Sequence, residues 1–283
     1  MAIGFVIPAA ASDTKPSSAP TAGEPSAEPN AARASDKAES PDSKRADFLH
    51  PGEVLVFRLS WGIFTNAGQL RIETQEETTP EGERRIHVSI HTKSKGLISA
   101  VYPVDSNADS YIDPATGRPL LIEHSGKEGD KETHTRTLFD YAAHRVTHTD
   151  FNRPKRSGVG ELPEEPVYDT FVAMMLARTW NLQPGEKRIV YGSFDKDVYE
   201  LEATAIDTDR VKTPAGKFSV VEIELKQLGD LKGFFKKGGT MRFFISTDED
   251  PQIVRIELRA SAGTFVMQLE KVEKAAPEKP TAP

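Results

Sequence analysis

Seven histidines, three regularly spaced carboxylates and a phenylalanine pair set between lysines are the residues of this chain best suited to chemistry. The histidines first raise a metal site. His87 and His91 in RIHVSIHT are four residues apart, and so are His144 and His148 in HRVTH. On a helix that spacing would bring two imidazoles onto one ion. In RIHVSIHT, however, Ile86, Val88 and Ile90 alternate with His87, Ser89 and His91, which is the period of a strand. Four residues along a strand span about 13 Å, too far for two ligands bonded at about 2 Å. A cross-strand pair of His134 with His148 would need its register from the turn DYAAH, and no acidic third ligand accompanies it. Solvated strand faces are therefore expected, with no metal and no cofactor.

The carboxylates Asp105, Asp109 and Asp113 in DSNADSYIDP share one strand face. Paired carboxylates hydrolyse glycosides at separations of about 5–9.5 Å, which neighbours four apart on a strand exceed. The expectation is a solvated acidic edge that discourages sheet-to-sheet pairing. No G-x-S-x-G elbow is present, and the lack of cysteine excludes thiolate catalysis and disulfides. HSGKEGDKE lacks the G-x-x-x-x-G-K-S/T spacing of a phosphate loop and reads as a polar hairpin tip. Nothing sets up an acid–base pair, so the chain is not expected to be an enzyme. A polysaccharide-acting enzyme built on the strand of Asp105 is the least favoured alternative.

In LKGFFKKGG, Lys232, Lys236 and Lys237 surround Phe234 and Phe235. These residues could let the rings sit in a bilayer interface while the ammonium groups meet lipid phosphates. Folding of the rings back over the end of a sheet is the favoured alternative.

The elements that must position these residues are mainly strands. Leu55, Phe57, Leu59 and Trp61 fall on one face, as do Val221, Ile223 and Leu225, then Met241, Phe243 and Ile245. Val254, Ile256 and Leu258 continue the series, and Phe265, Met267 and Leu269 complete it. A period of two over so many segments means a sheet with one dry and one wet face, which suits antiparallel pairing. One segment differs. In YDTFVAMMLARTWNLQPGE, Asp169 is a good N-cap, and apolar residues cover most of the circumference from Thr170 to Asn181. A helix apolar nearly all round must be covered, and the dry face of the sheet is the available cover. The predicted fold is therefore mainly β: one large curved antiparallel sheet, or half-open barrel or sandwich, packed around a single α-helix.

A hydrophobic fraction of 37% is diluted by a polar N-terminal segment, and a net charge of -7 argues against a nucleic-acid partner. The start, MAIGFVIPAAASD, closes on Ala9–Ala11 as a signal-peptidase site would, but it lacks a positive n-region and is too short to span a bilayer. Export to the periplasm or beyond is favoured, with the true start upstream; a chance apolar N-terminus is the alternative. The organisation reads as an incomplete signal-like segment over 1–11 and a disordered Pro/Ala/Ser-rich linker over 12–48. A single β-rich domain then covers 49–273, followed by a disordered tail over 274–283, with no transmembrane span.

The order of motifs is PGEVLVFRLSWGIFTNAGQLRIE, SKGLISAVYPVDSNADSYID, TLFDYAAHRV, the helix with LQPGE, VKTPAGKFSVVEIEL and ISTDEDPQIVRIELRASAGTFVMQLE. This order resembles the bacterial exported-protein family known as domain of unknown function 3108, over roughly Pro51 to Glu270. The resemblance implies a β-rich cell-envelope domain and transfers no catalytic residues. The function expected is a non-catalytic binding module for an apolar or lipid-like ligand, such as a lipid or envelope glycolipid. Trp61, Met174, Met175 and Trp180 are candidates to line its concavity. The alternative is an envelope scaffold that recruits a protein partner by strand addition.

Overall fold

The computed structural model describes residues 46–229, 231, 233–261 and 263–274. The signal-like segment, the linker up to residue 45, Lys232 and the tail from residue 275 lie outside the described residues. The first half of the fold comprises β1 (Glu53–Trp61), β2 (Phe64–Thr78), β3 (Arg84–Ser94), α1 (Gly96–Val101), β4 (Val104–Ile112), β5 (Pro119–Glu128), β6 (Lys131–Asp140), β7 (Arg145–Asp150) and β8 (Gly158–Glu161). The second comprises β9 (Val167–Tyr168), α2 (Thr170–Ala177), β10 (Lys187–Phe194), β11 (Asp197–Thr213), β12 (Gly216–Gln227), α3 (Gly233–Lys236), β13 (Thr240–Ser246), β14 (Ile253–Ala260) and β15 (Gly263–Lys274).

The strands form one 15-stranded sheet in the order β8-β7-β6-β5-β4-β3-β2-β1-β15-β14-β13-β12-β11-β10-β9. Almost every neighbour in space is a neighbour in sequence, the arrangement that short turns produce. Every pairing is antiparallel except β9 with β10. The register stacks the dry parity across strands: Phe57 lies opposite Leu70 on one side and Leu269 on the other, and all three are buried.

The sheet winds until its two edge strands approach each other. Phe139, Val146, Leu162 and Val167 form a small apolar seam there, with Tyr191 and Val198 packed on it. Gly160 of β8 lies against the carbonyl of Lys196 in the β10–β11 turn, so closely that a Cβ would overlap it. The result is a barrel-like wrap whose last gap is closed by side-chain packing.

The mainly β class with α2 at the centre is as the alternating pattern predicts. All eight residues of α2 are buried. Asp169 Oδ1 accepts hydrogen bonds from Phe171 N at 2.8 Å and Val172 N at 3.0 Å, two donors that helix geometry leaves unpaired.

Three expectations are corrected. The helix ends at Ala177, not Asn181. Arg178 N bonds to Met175 O, Thr179 N to Leu176 O and Trp180 N to Ala177 O, which is the tighter three-residue spacing that commonly finishes a helix. It is not the single helix, because α1 and α3 each add a short one. The folded part also begins earlier than Leu49: Ala46 and Phe48, assigned to the linker, are buried in the core.

Candidate functional site

The well-formed recesses among the described residues include one with a partly polar wall and one that is apolar. The polar one lies where the inner face of the sheet stops being hydrophobic. On β4, β6 and β7 the inward positions include Ser106, Ser110, Thr135, Thr137, His148 and Asp150, all buried. Of these, Ser110, Thr135 and Thr137 line a cavity of about 50 Å³, together with His124 of β5, the start of α2, Ser193 to Asp195 and the apolar Ile90, Ala108 and Ile122.

Hydrogen bonds organise this cavity. Ser110 donates to Asp169 Oδ2 at 2.6 Å, and Thr137 Oγ1 meets His148 Nδ1 at 2.9 Å. His148 Nε2 lies 3.7 Å from Asp195. Ser193 Oγ is buried with no hydrogen-bond partner among the described residues. Burial pushes His124 down to about 4 and lowers His148, so both imidazoles are neutral at neutral pH. Burial raises the Asp169 carboxyl, against the three hydrogen bonds that favour its charge. The cavity therefore sets hydroxyls, a neutral imidazole and two carboxyl groups around a space the size of a few water molecules.

The apolar recess, also about 50 Å³, lies at the end of the wrap reached by β1 and β15. Leu59, Trp61, Ala67, Ile98, Tyr102 and Phe265 supply most of its wall. Trp61 stacks on Phe265 at 5.5 Å, with the rings inclined by 8°. Lys95 N donates to Ala67 O, which fixes the start of α1 to β2. This leaves Ile98 buried while Leu97 (76% exposed) and Val101 (82%) stand in solvent. Ile63, in the β1–β2 turn, is 88% exposed, and Phe64 beside it is 40% exposed. Sequence reasoning passed over Ile63, Leu97 and Val101 because an aliphatic side chain in a turn or short helix carries no chemistry of its own. The available signal was a bulky aliphatic residue directly after each turn glycine, in Gly62-Ile63 and Gly96-Leu97.

Of the ligand-lining candidates, only Trp61 borders a recess. Met174, Met175 and Trp180 are core residues beneath the sheet and line neither cavity. Phe234 is 5% exposed and belongs to the core, with Phe235 half-buried against it and Lys236 and Lys237 exposed. Phe234 therefore has almost no surface left to offer a bilayer, and the tight packing of its ring over Gly239 explains why it turns inward.

The histidines and carboxylates also sit differently from the expectation. The acidic strand β4 is not an edge, because it runs between β3 and β5. Its carboxylates are paired across the outer face. His87 bridges Glu77 and Asp109 at 2.8 Å each and stacks on Tyr111, and Asp105 holds His91 and Lys93. The Asp109 bond raises the His87 pKa, with Glu77 adding to the effect, and Asp109 is lowered in return. His148 is buried, not solvated, because its parity on β7 points inward. It lies opposite Thr137, so the cross-strand pair with His134 does not form; His134 packs on Phe151 instead. Among the described residues no group of three or more His, Asp or Glu is placed to hold a metal ion. No described helix is long and apolar enough to cross a membrane.

An antiparallel sheet wound around one buried helix, with a small recess at one mouth, defines a barrel-like β scaffold. The crystal structure of a β-barrel-like protein of domain of unknown function DUF1849 from Brucella abortus has this fold. It matches with a TM-score of 0.50 at 10% identity, over 79% of this chain and 98% of that one. The chain belongs to the family "Protein of unknown function (DUF3108)", whose model matches residues 56–270. Weaker likenesses are found to two further crystal structures. One is a candidate lipoprotein from Parabacteroides distasonis (TM-score 0.34, 11% identity, 82% of this chain and 100% of that one). The other is a candidate exported protein with a YmcC-like fold from Bacteroides fragilis (TM-score 0.28, 13% identity, 80% and 97%). No curated protein sequence matches the chain.

Proposed function

We propose that this chain is an exported, non-catalytic binding module of the cell envelope that receives the end of an apolar, lipid-like ligand beside Trp61. The observation that carries this reading is the apolar recess bounded by Trp61, Ile98 and Phe265, with Ile63, Leu97 and Val101 exposed around it. Those three side chains are left largely in solvent, and bulky apolar side chains exposed close to an apolar recess suit an interaction site. The size of the recess limits the ligand. About 50 Å³ is far below the roughly 300–1,000 Å³ of pockets that engulf drug-sized molecules. A chain end fits there; a whole acyl chain does not. The apolar start closing on Ala9–Ala11 supports export.

Trp61 and Trp180 are the chain's two tryptophans, which makes the test direct. In a Trp180→Phe background, a brominated fatty acid should quench Trp61 fluorescence saturably. A linear, non-saturating response, or equal binding by Trp61→Ala, would remove the recess as the site.

A further inference from the structure

Antiparallel strands deliver every second turn to the same end of a sheet. The turns β1–β2, β3–β4, β5–β6, β7–β8, β10–β11, β12–β13 and β14–β15 therefore form one rim, the one that carries the apolar recess. The turns β2–β3, β4–β5, β6–β7, β11–β12 and β13–β14, with the β8–β9 connection, form the other. The charges are divided between the two. Among the described residues, the connections of the recess rim carry Lys95, Lys155, Arg156, Lys196, Lys236 and Lys237 against Asp130 and Asp195. Arg153 is there too, but its charge is engaged by the buried Asp150 at 3.0 Å. The opposite rim carries Glu81 and Glu83, Asp113, Glu164 and Glu165, and Asp248, Glu249 and Asp250, against Arg118. Lys95, Lys155, Arg156, Lys236 and Lys237 are exposed, and none is held in an ion pair with another described residue. A chain with net charge -7 thus presents one cationic face, and that face also bears Ile63, Leu97 and Val101, with Phe151 and Leu231 about half exposed.

We infer that this rim docks on an anionic membrane surface. The lysines and arginine would lie at the phosphates, Ile63, Leu97 and Val101 would enter the headgroup boundary, and the acidic rim would point away. Cationic side chains interleaved with bulky aliphatic ones suit an interface that is charged outside and apolar beneath. A nucleic acid would match the charge but would leave the aliphatic side chains in water. Each Lys or Arg close to an anionic surface strengthens binding about five-fold. The surface goes beyond the single-ligand recess, since Lys155, Arg156, Lys236 and Lys237 lie outside its wall.

The test is co-sedimentation of the full chain with vesicles of phosphatidylcholine alone or mixed with phosphatidylglycerol. Binding should require phosphatidylglycerol and weaken steeply as salt rises. Replacing Lys155, Arg156, Lys236 and Lys237 by Gln should lower it by about 600-fold. All four are exposed, so the fold should tolerate the change, and an unaltered melting curve checks this. Changing Ile63, Leu97 and Val101 to Ser should lower binding while leaving its salt dependence in place. Equal binding to neutral vesicles, no binding to either, undiminished binding by the Gln variant, or preference for a DNA duplex would each overturn the inference. Quenching of Trp61 by free brominated fatty acid should survive in the Gln variant. Its absence beside intact, salt-sensitive vesicle binding would fault the recess reading and spare this one.

Discussion

Replacing Arg178 by Leu should be among the most damaging single changes in the domain. Arg178 Nη1 donates to both carboxylate oxygens of Glu53 and to Gln252 Oε1, each at 3.0 Å. Its Nη2 donates to Phe48 O at 3.0 Å. The side chains of Arg178 and Glu53 are only 3% and 4% exposed. One guanidinium thus joins the end of α2 to the start of β1, to the β13–β14 connection and to the turn that precedes the sheet. Removing it leaves a carboxylate buried with no strong counter-charge, because His50, at 3.7 Å, is itself nearly half exposed. Breaking a buried pair in this way costs about 3–5 kcal/mol. For a domain of this size each kcal/mol shifts the melting point by about 2–4 °C, so a fall of about 6–20 °C is expected. Urea denaturation followed by circular dichroism and by Trp180 fluorescence would measure it. The double variant Glu53→Leu/Arg178→Leu, which removes both charges, should recover a large part of the loss. A single-variant loss below about 1 kcal/mol, the level of an exposed surface pair, would refute this account.

Two further outcomes follow from the seam and from the polar cavity. Gly160→Val places a side chain where the carbonyl of Lys196 and Val146 Cγ1 already lie. It should cost about 1–3 kcal/mol by overpacking and speed amide exchange in β8, and unchanged exchange there would argue against closure at this seam. Stability should also fall on acidification from about pH 6.5 toward pH 4. The unfolded chain takes up a proton at His124 that the folded state, with its pKa depressed to about 4, refuses. The effect of His124 is at most about 3 kcal/mol, and His124→Gln should make that limb shallower while leaving the part due to His148, whose pKa is also lowered. His87 works in the opposite sense. Its folded pKa is raised, so its contribution is full below the unfolded value and is lost as the pH rises through the folded one. His87→Gln should therefore leave the His124 limb in place.

The sequence by itself determined which residues face the core wherever that face is dry. Alternation in Leu55-Phe57-Leu59, Ile86-Val88-Ile90 and Val254-Ile256-Leu258 marks inward positions directly, because burying those side chains is what selects the register. The unbroken apolar surface of α2 and the capping oxygen of Asp169 likewise announced a covered helix. Tertiary structure alone decided the rest. On β4 to β7 Ser106, Ser110, Thr135, Thr137, His148 and Asp150 interrupt the inward apolar residues and break the hydrophobic period, so the polar cavity was invisible and His148 read as solvated. The Arg178–Glu53 pair joins positions 125 residues apart, and no local rule pairs them. The cationic and apolar rim is assembled from turns scattered between Gly62 and Gly239. They share an end only because consecutive antiparallel strands return every second turn to the same side, and winding the sheet brings the β7–β8 turn round to the β10–β11 turn.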